Sequence, residues 1–401
     1  MTELAERANA LAARAAQSGI YAGLGVRPLI NASGHNTAQG GSLMPPPVLE
    51  AMREAAGRYV QLRELQDAAG RRIAEVLGVE AALVSAGAAS GILLATAACL
   101  TGDDRQRIWA LPRPPGDAPR NEVVVLGSPR PNYMYQAAEA AGARLVEVGH
   151  EQGDGPLAPE LFTQAFGRRT AAVLLVVATL DRLRPRTGGA EQFIAGVARA
   201  ASAAGVPVLV DAAAELPPRA NFRRFLDAGA AVAIFSGGKA IRGPQCTGLV
   251  LGRRDLIAAA ALNNNPNSAI GRPMKVGKEE IAGLVRAVEL FMAMDEAEQL
   301  RGWERQARTV VDALAGLPGV EAAVVAGHDH YGRPPVAPKA VIRLAPGHWP
   351  APEQVVRALL EGDPPIAISR FGGDLVVNPM TLEPGEIDVV AERLRHILSR
   401  A

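Results

Sequence analysis

The stretch Ala233-Ile-Phe-Ser-Gly-Gly-Lys239-Ala-Ile-Arg-Gly-Pro-Gln245 decides how the rest of the chain is read. Residues 230–235 form an apolar run of strand length, which breaks at Ser236 into two glycines, a lysine and a second turn at Gly243-Pro244. Desolvation disfavours an ammonium, so a lysine at the end of a buried strand is costly unless it has a task. One such task is covalent: an amine that forms a Schiff base with an aldehyde, between glycines that let a flat ring lie close to the backbone. The plain alternative is a lysine whose head reaches solvent from a strand-end loop. The segment alone does not separate the two.

Two upstream segments bear on the choice. Ser85-Ala-Gly87-Ala88-Ala89 is a small-residue turn between a strand at 81–84 and a helix running to Leu100. Such a turn leaves N–H groups free at a helix N-terminus, where a phosphate binds well. It matches neither the P-loop nor the dinucleotide glycine pattern, and tight helix packing also explains it. Val208-Leu-Val-Asp211-Ala-Ala-Ala-Glu215-Leu-Pro-Pro218 then places an aspartate at the carboxyl end of a buried strand, where α/β sheets hold their ligands. Facing a pyridine nitrogen, that carboxylate keeps the nitrogen protonated and strengthens the ring as an electron sink. Capping of the next turn is the structural alternative for Asp211. Ala212 and Ala213 are small enough to lie beneath a ring, and Ser236 can offer its hydroxyl to a phosphate. Phosphate turn, carboxylate and lysine together describe a site for pyridoxal 5'-phosphate.

The remainder of the chain supplies the frame. Its 401 residues are 48% hydrophobic and only 4% aromatic, which predicts a core of Ala, Val and Leu. Strand patterns at 122–126, 143–148, 171–178, 207–210 and 230–235 alternate with helical patterns at 132–141, 159–166 and 191–204. The alternation indicates βαβ units and a mostly parallel sheet with helices on both faces, and 247–251 reads as an antiparallel addition. Residues 105–120 read as a Pro/Gly/Arg-rich surface loop. Near Val276 the character changes to a long charged helical stretch, 278–314, and then to strands at 320–325, 339–344 and 375–377 with helices at 352–361 and 386–399. We expect a large α/β domain over 28–275 and a smaller α+β lobe from 276–401, joined by residues 1–27 with their helix at 4–16.

Formal net charge is +1, which gives no global field for nucleic acid or membrane. The uncharged segment 81–100 is long enough to span a bilayer, but its glycines, its hydroxyls and its strand-like start favour strand, turn and buried helix. Cys99 and Cys246 form no C-x-x-C pair, and residues 1–19 lack a signal-type apolar core, so a reducing, cytoplasmic setting is expected. His328-Asp-His330 lies in a Gly/Pro-rich loop without a third ligand, and no metal site is expected.

The order of phosphate turn, strand-end aspartate and strand-end lysine resembles the fold-type I pyridoxal phosphate enzymes, with their aminotransferase-like fold. More specifically, Ile30-Asn-Ala-Ser-Gly-His-Asn-Thr37, Ser85-Ala-Gly-Ala-Ala89, the segments 210–218 and 236–245, and Met274-Lys-Val-Gly-Lys-Glu-Glu280 resemble the selenocysteine-synthase-like family. That family also contains the D-glucosaminate-6-phosphate ammonia-lyases. The similarity runs from about residue 27 to the C-terminus.

The resemblance implies that Lys239 is the Schiff-base lysine and Asp211 the partner of the ring nitrogen. It implies further that Ser85, Gly87, Ala88 and Ser236 line the phosphate, and that Lys275 supplies a cation to it across a subunit interface. Arg370 matches the small-domain arginine that holds a substrate carboxylate, which a guanidinium binds bidentately. His35, in the N-terminal turn, is a candidate substrate contact. One position departs from the pattern. Many relatives place a histidine over the ring, whereas alignment on Asn132 puts Arg130 there as the cofactor contact. A guanidinium can stack on a ring, but it adds positive charge and cannot shuttle protons near neutral pH.

The expected activity is that of a lyase that removes a β-substituent and ammonia from a small polar or sugar-derived amino acid, leaving a 2-oxo acid. The expected assembly is a homodimer or larger homo-oligomer. A racemase or transferase is the competing enzyme class, and a silent pyridoxal-phosphate-binding sensor is the non-enzymatic one. Action on seryl-tRNA is disfavoured by the charge balance and by the lack of a basic N-terminal module.

Overall fold

The computed structural model describes residues 19–115, 120–327, 333–347 and 350–399. The helix expected at 4–16 and the His328/His330 pair lie outside the described residues. Strand β1 (Ile30–Ala32) comes first. It is followed by β2 (Ala81–Ser85), β3 (Glu122–Leu126), β4 (Arg144–Val148), β5 (Thr170–Val176), β6 (Val208–Asp211), β7 (Val232–Ser236) and β8 (Gly248–Gly252). The last four strands are β9 (Val320–Val325), β10 (Lys339–Leu344), β11 (Ile366–Phe371) and β12 (Asp374–Val377).

The chain divides into two compact units, one over Met44–Met294 and one from the described parts of residues 1–43 and 295–401. The larger holds a seven-stranded sheet in the order β2-β8-β7-β6-β5-β3-β4. Only β8 runs against the rest, antiparallel to both neighbours. Alternate residues of each strand feed two separate cores. Val124, Val173, Val210 and Phe235 point to one face, and Val123, Leu174, Leu209 and Ile234 to the other. Burial on both faces is why these strands read as continuous apolar runs rather than alternating ones.

The uncharged segment becomes β2 and the helix Ala88–Thr101, buried nearly all round. At 1.5 Å per residue its 14 residues reach only ~21 Å, against a hydrocarbon core of about 30 Å. Among the described residues, no helix is long and apolar enough to cross a membrane.

Two boundaries differ from the sequence reading for visible reasons. Within 105–120, Arg105–Ala110 is helical because the Asp104 carboxylate caps it, accepting from the amides of Gln106 and Arg107 at 2.9 and 3.3 Å. The strand expected through 178 stops at Val176, and Val177–Arg182 is helical, with Val177 and Leu180 still buried. Apolarity by itself does not distinguish a buried strand from a buried helical turn.

The smaller unit carries a five-stranded sheet, β1-β11-β12-β10-β9. Strand β1 pairs in parallel with β11, Ile30 opposite Ile366, while the other pairings are antiparallel. Its core joins Ile30, Ala32, Ile342, Ile366 and Val377 to the helices Glu296–Leu314, Pro352–Glu361 and Glu386–Leu398. The first strand is therefore part of this unit. The helix Lys278–Ala293 instead packs on Pro46–Ala56 and Leu62–Leu77 of the larger unit. The chain breaks at Asp295, whose side chain caps the next helix by accepting from the Glu298 amide at 3.0 Å.

Candidate active site

The candidate residues of the larger unit converge because parallel strands bring their carboxyl ends to one edge of the sheet. Ser85 of β2 lies opposite Gly248 of β8, and Gly248 lies opposite Ser236 of β7. One row across three strands thus joins the turn at 85–89 to Ser236, although many residues separate them in sequence. Asp211 ends β6 beside β7, in register with Ile234.

The turn that opens the Ala88–Thr101 helix is built by Gly87, which adopts φ +85°, a conformation glycine takes without strain. No side chain caps this helix, so its first-turn N–H groups remain available to an anion. A Cβ added at Gly87 would meet nothing within 4 Å, so the space in front of the turn is open. Gly248 must stay small, because a Cβ there would come within 2.5 Å of the Gly87 carbonyl carbon. Ser85 departs from the expected role. It is fully buried and its hydroxyl donates to the Gly87 carbonyl at 2.9 Å, so it shapes the turn from behind rather than lining its mouth. Ser236 is half-buried, as is Ala88.

The lysine-bearing loop is fixed by its own backbone. The Gly237 amide donates to Thr247 at 2.8 Å, the Gly243 amide to Gly237 at 2.9 Å and the Arg242 amide to Lys239 at 2.9 Å. A Cβ at Gly237 would lie 2.1 Å from Thr247 Oγ1, and one at Gly238 would lie 2.5 Å from Gln245 Cα. Arg242 closes the turn at φ +58°, the one non-glycine residue with positive φ among those described. Its backbone holds a conformation that costs roughly 1–2 kcal/mol for an L-residue. Lys239 is therefore presented by a loop with little freedom.

The electrostatics of the pair are reciprocal. Asp211 is 5% exposed and accepts one hydrogen bond from the Ala213 amide, 2.9 Å to Oδ1. Burial raises its pKa, and the Ala213 amide and the Lys239 charge only partly offset this. Burial lowers the Lys239 pKa, and the carboxylates of Asp211 and Glu215 pull it back up. Burial thus works against the charged form of each group, and the charge of the other works in its favour. Ala212 is fully buried, and half-buried Ala213 presents a methyl beside the carboxylate.

Glu215 has a larger part here than its sequence suggested. It is 2% exposed, with its amide donating to Ala212 at 3.1 Å and its carbonyl accepting from Asn221 Nδ2 at 2.6 Å. The available signal was a lone acid within an Ala and Pro run four places after Asp211.

Arg130 is occupied elsewhere. Its guanidinium pairs with Glu147 at 2.8 Å and Glu139 at 3.5 Å and lies over the Tyr135 ring at 5.3 Å from the centroid. Lys275 is exposed on the segment that follows the helix Arg254–Asn263.

In the smaller unit, half-buried His35 follows Gly34, which adopts φ +79° and packs against Asn378. Arg370 lies on β11 and forms an ion pair with Glu353, both side chains well exposed. Cys99 is a half-buried thiol whose pKa is pushed up to about 12 by desolvation. Among the described residues, no group of three His, Cys, Asp or Glu side chains could hold a metal ion.

An open anion turn, a small-residue floor, a buried carboxylate and a desolvated amine fit pyridoxal 5'-phosphate. Known proteins agree. The chain is 30% identical over 389 residues to the D-glucosaminate-6-phosphate ammonia lyase of Salmonella typhimurium (strain 14028s / SGSC 2262), an alignment that covers 95% of this chain and 98% of that protein. It is 33% identical over 393 residues to a 5'-C-glycyluridine monooxygenase-decarboxylase of a Streptomyces species, 94% and 92% covered. A solved D-glucosaminate-6-phosphate ammonia-lyase superposes with a TM-score of 0.76 at 28% identity, over 95% of this chain and 98% of that one. An SPT structure with pyridoxal phosphate, 14% identical, superposes at 0.56 over 92% and 87% and shows the same fold. That fold is the fold-type I α/β architecture, and the cofactor of the group is pyridoxal 5'-phosphate. Residues 29–302, well over half of the chain, match the family model described as SelA, L-seryl-tRNA selenium transferase, and to that family this chain belongs.

Proposed function

We propose that this protein is a pyridoxal-phosphate-dependent lyase that removes a β-substituent and ammonia from a small polar or sugar-derived amino acid, leaving a 2-oxo acid. The observation that carries the reading is the paired strand ends, a buried carboxylate at 211 and a desolvated amine at 239. The near-complete coverage of an ammonia-lyase adds the reaction class. The charge balance of +1 supports a small substrate over seryl-tRNA.

When bound, the cofactor supplies an electron sink conjugated to the substrate's α-carbon. Lys239 would hold it, and the same amine would serve as the base for the substrate's α-proton. A lysine whose pKa is lowered by burial holds more of its amine neutral for that step. Asp211 would hold the proton of the ring nitrogen, and a buried carboxylate is a strong partner for it because water does not compete. The first-turn N–H groups at 88–90 and the Ser236 hydroxyl would hold the phosphate. We assign Arg370 to the substrate carboxylate, in exchange for Glu353, and His35 to a polar substrate group. Lys275 is assigned to the phosphate of a neighbouring copy, which makes the working enzyme a homo-oligomer.

The test is ammonia and 2-oxo acid release across a panel of D- and L-β-hydroxy amino acids, with Lys239→Ala as the control. The expected result is turnover in the wild type, with loss of both turnover and the visible cofactor band in the variant. Absence of turnover across the panel sinks the lyase reading. The identity to a monooxygenase-decarboxylase favours one second reading, an oxygen-dependent decarboxylation. Oxygen uptake with carbon dioxide release and no ammonia would select it.

A further inference from the structure

The larger unit contains a second recess, at the free edge of its sheet. Strand β2 is the outermost strand and pairs only with β8. The helices Leu62–Leu77 and Arg254–Asn263 flank its first residues and enclose a cavity of about 610 Å³, within the roughly 300–1,000 Å³ of small-molecule sites. Arg254, at the start of one helix, bonds Glu80, where the other helix has already ended. Asn264, just past the first, bonds the Val84 carbonyl, which Gln66 near the start of the second also reaches. The two helices therefore run in opposite directions along the cavity. Gly70 seals the floor, since a Cβ there would come 2.4 Å from the Ala82 carbonyl oxygen. Alanine at 74, 258 and 261 leaves the space between the helices unfilled.

The lining is chemically mixed. Gln66 is 6% exposed, and its Nε2 donates to the Val84 carbonyl at 3.4 Å, which fixes the orientation of the amide. Its buried Oε1 has no hydrogen-bond partner. A buried acceptor without a donor is costly, so this one calls for an N–H or O–H group. Beside it, Asp67 and Arg71 stand one helical turn apart, both exposed. Two other acids of the lining are engaged, Glu75 by Arg72 and Glu80 by the Arg254 amide, each at 3.0 Å. Among the described residues no ion pair engages Asp67 or Arg71. Further along, Val79 and Ile257 supply an apolar wall.

We propose that this cavity binds a free α-amino acid with an apolar side chain. Its ammonium would donate to Gln66 Oε1 and to the Asp67 carboxylate, its carboxylate would meet Arg71, and its side chain would lie against Val79 and Ile257. A pure anion offers Gln66 no donor and is repelled by Asp67, while a pure cation leaves Arg71 without a partner. The site lies beside the start of β2, whereas the phosphate turn follows its end. The inference depends on neither the cofactor nor the lyase reading.

The experiment titrates L-leucine and L-phenylalanine into the holoenzyme by isothermal calorimetry. Leucinamide and 4-methylpentanoate serve as analogues that lack the carboxylate and the ammonium. The variants are Arg71→Ala and Ala258→Trp, the second filling the cavity from an exposed position. We expect saturable binding of at least one of the two amino acids. Either analogue, and the Arg71→Ala variant, should lose at least about tenfold in affinity, the scale of one hydrogen bond to a charged group. Ala258→Trp should abolish binding. No binding of either amino acid overturns the proposal, as do analogues that bind as tightly as the amino acid. Binding that persists unchanged in Ala258→Trp or Arg71→Ala also overturns it, because the amino acid then sits elsewhere, the active site included. If Ala258→Trp does not fold, Arg71→Ala and the analogues decide. Ammonia release tests the lyase reading separately, so failure of one is distinguishable from failure of the other.

Discussion

At position 239 the amine is shared between two opposing effects, and the balance is testable. Burial lowers the Lys239 pKa while Asp211 and Glu215 raise it. Glu215→Gln removes one support without removing the cofactor's partner, so the Lys239 pKa should fall further. The pH profile of cofactor association with the apoprotein, which needs the neutral amine, should move to lower pH. An unmoved profile would mean that Glu215 is purely structural. Asp211→Asn should act differently. It removes the charge that holds the ring proton, so turnover should drop by at least tenfold even where the cofactor still binds, which a saturating-cofactor assay separates.

Lys339 gives a second pH test, remote from the chemistry. It is 2% exposed, donates to the carbonyls of Pro334 and Ala337 at 3.0 and 2.8 Å, and has its pKa lowered to about 8 by burial. The unfolded chain binds this proton more tightly, with a pKa near the ordinary 10.5. The contribution of Lys339 to stability therefore rises as pH increases from about 8 to 10.5, and is at its lowest below that window. Relative to Lys339→Met, the wild type should gain stability across the window, as read by denaturant unfolding at a series of pH values.

Among the elements, the helix Ala88–Thr101 couples core packing to cofactor binding. Its Gly91 lies so close to the sheet that a Cβ would come 2.8 Å from Ile234 Cγ2 and 3.1 Å from Val250 Cγ2. Gly91→Ala must push the helix off β7 and β8, an overpacking cost of about 1–3 kcal/mol. The same displacement moves the N-terminal amides away from the phosphate. We expect a lower thermal midpoint together with weaker pyridoxal phosphate binding, whereas a change in stability alone would uncouple the turn from the helix behind it. The segments that define this helix were legible because a strand, a glycine turn and an uncharged helix leave a clear compositional trace. The helix at Arg105–Ala110 was not, since six residues in a Pro- and Arg-rich stretch carry too little periodicity to outweigh it.

The whole molecule is assembled from a continuous segment and from two segments distant in sequence. Ala32 of β1 is fully buried in the core of the smaller unit, so Ala32→Asp places an unpaired charge there. It should destabilise that unit by several kcal/mol. The expected readout is an early transition in calorimetry with the visible cofactor band retained through it, because Lys239 and Asp211 belong to the other unit. Simultaneous loss of both signals would show the two units melting together.

By itself the sequence determined the layered α/β fold, the strand ends that carry Asp211 and Lys239, and the cofactor they imply. Strands buried on both faces must be uninterrupted runs of apolar residues, so a charge at the end of such a run is conspicuous wherever it falls. The tertiary structure decided what direction and partnership decide: that the Ser85 hydroxyl turns inward to Gly87, that Glu147 holds Arg130, and that β1 joins the distant β11. These depend on where a side chain points and on which remote residue meets it, and neither is written in the local order of residues.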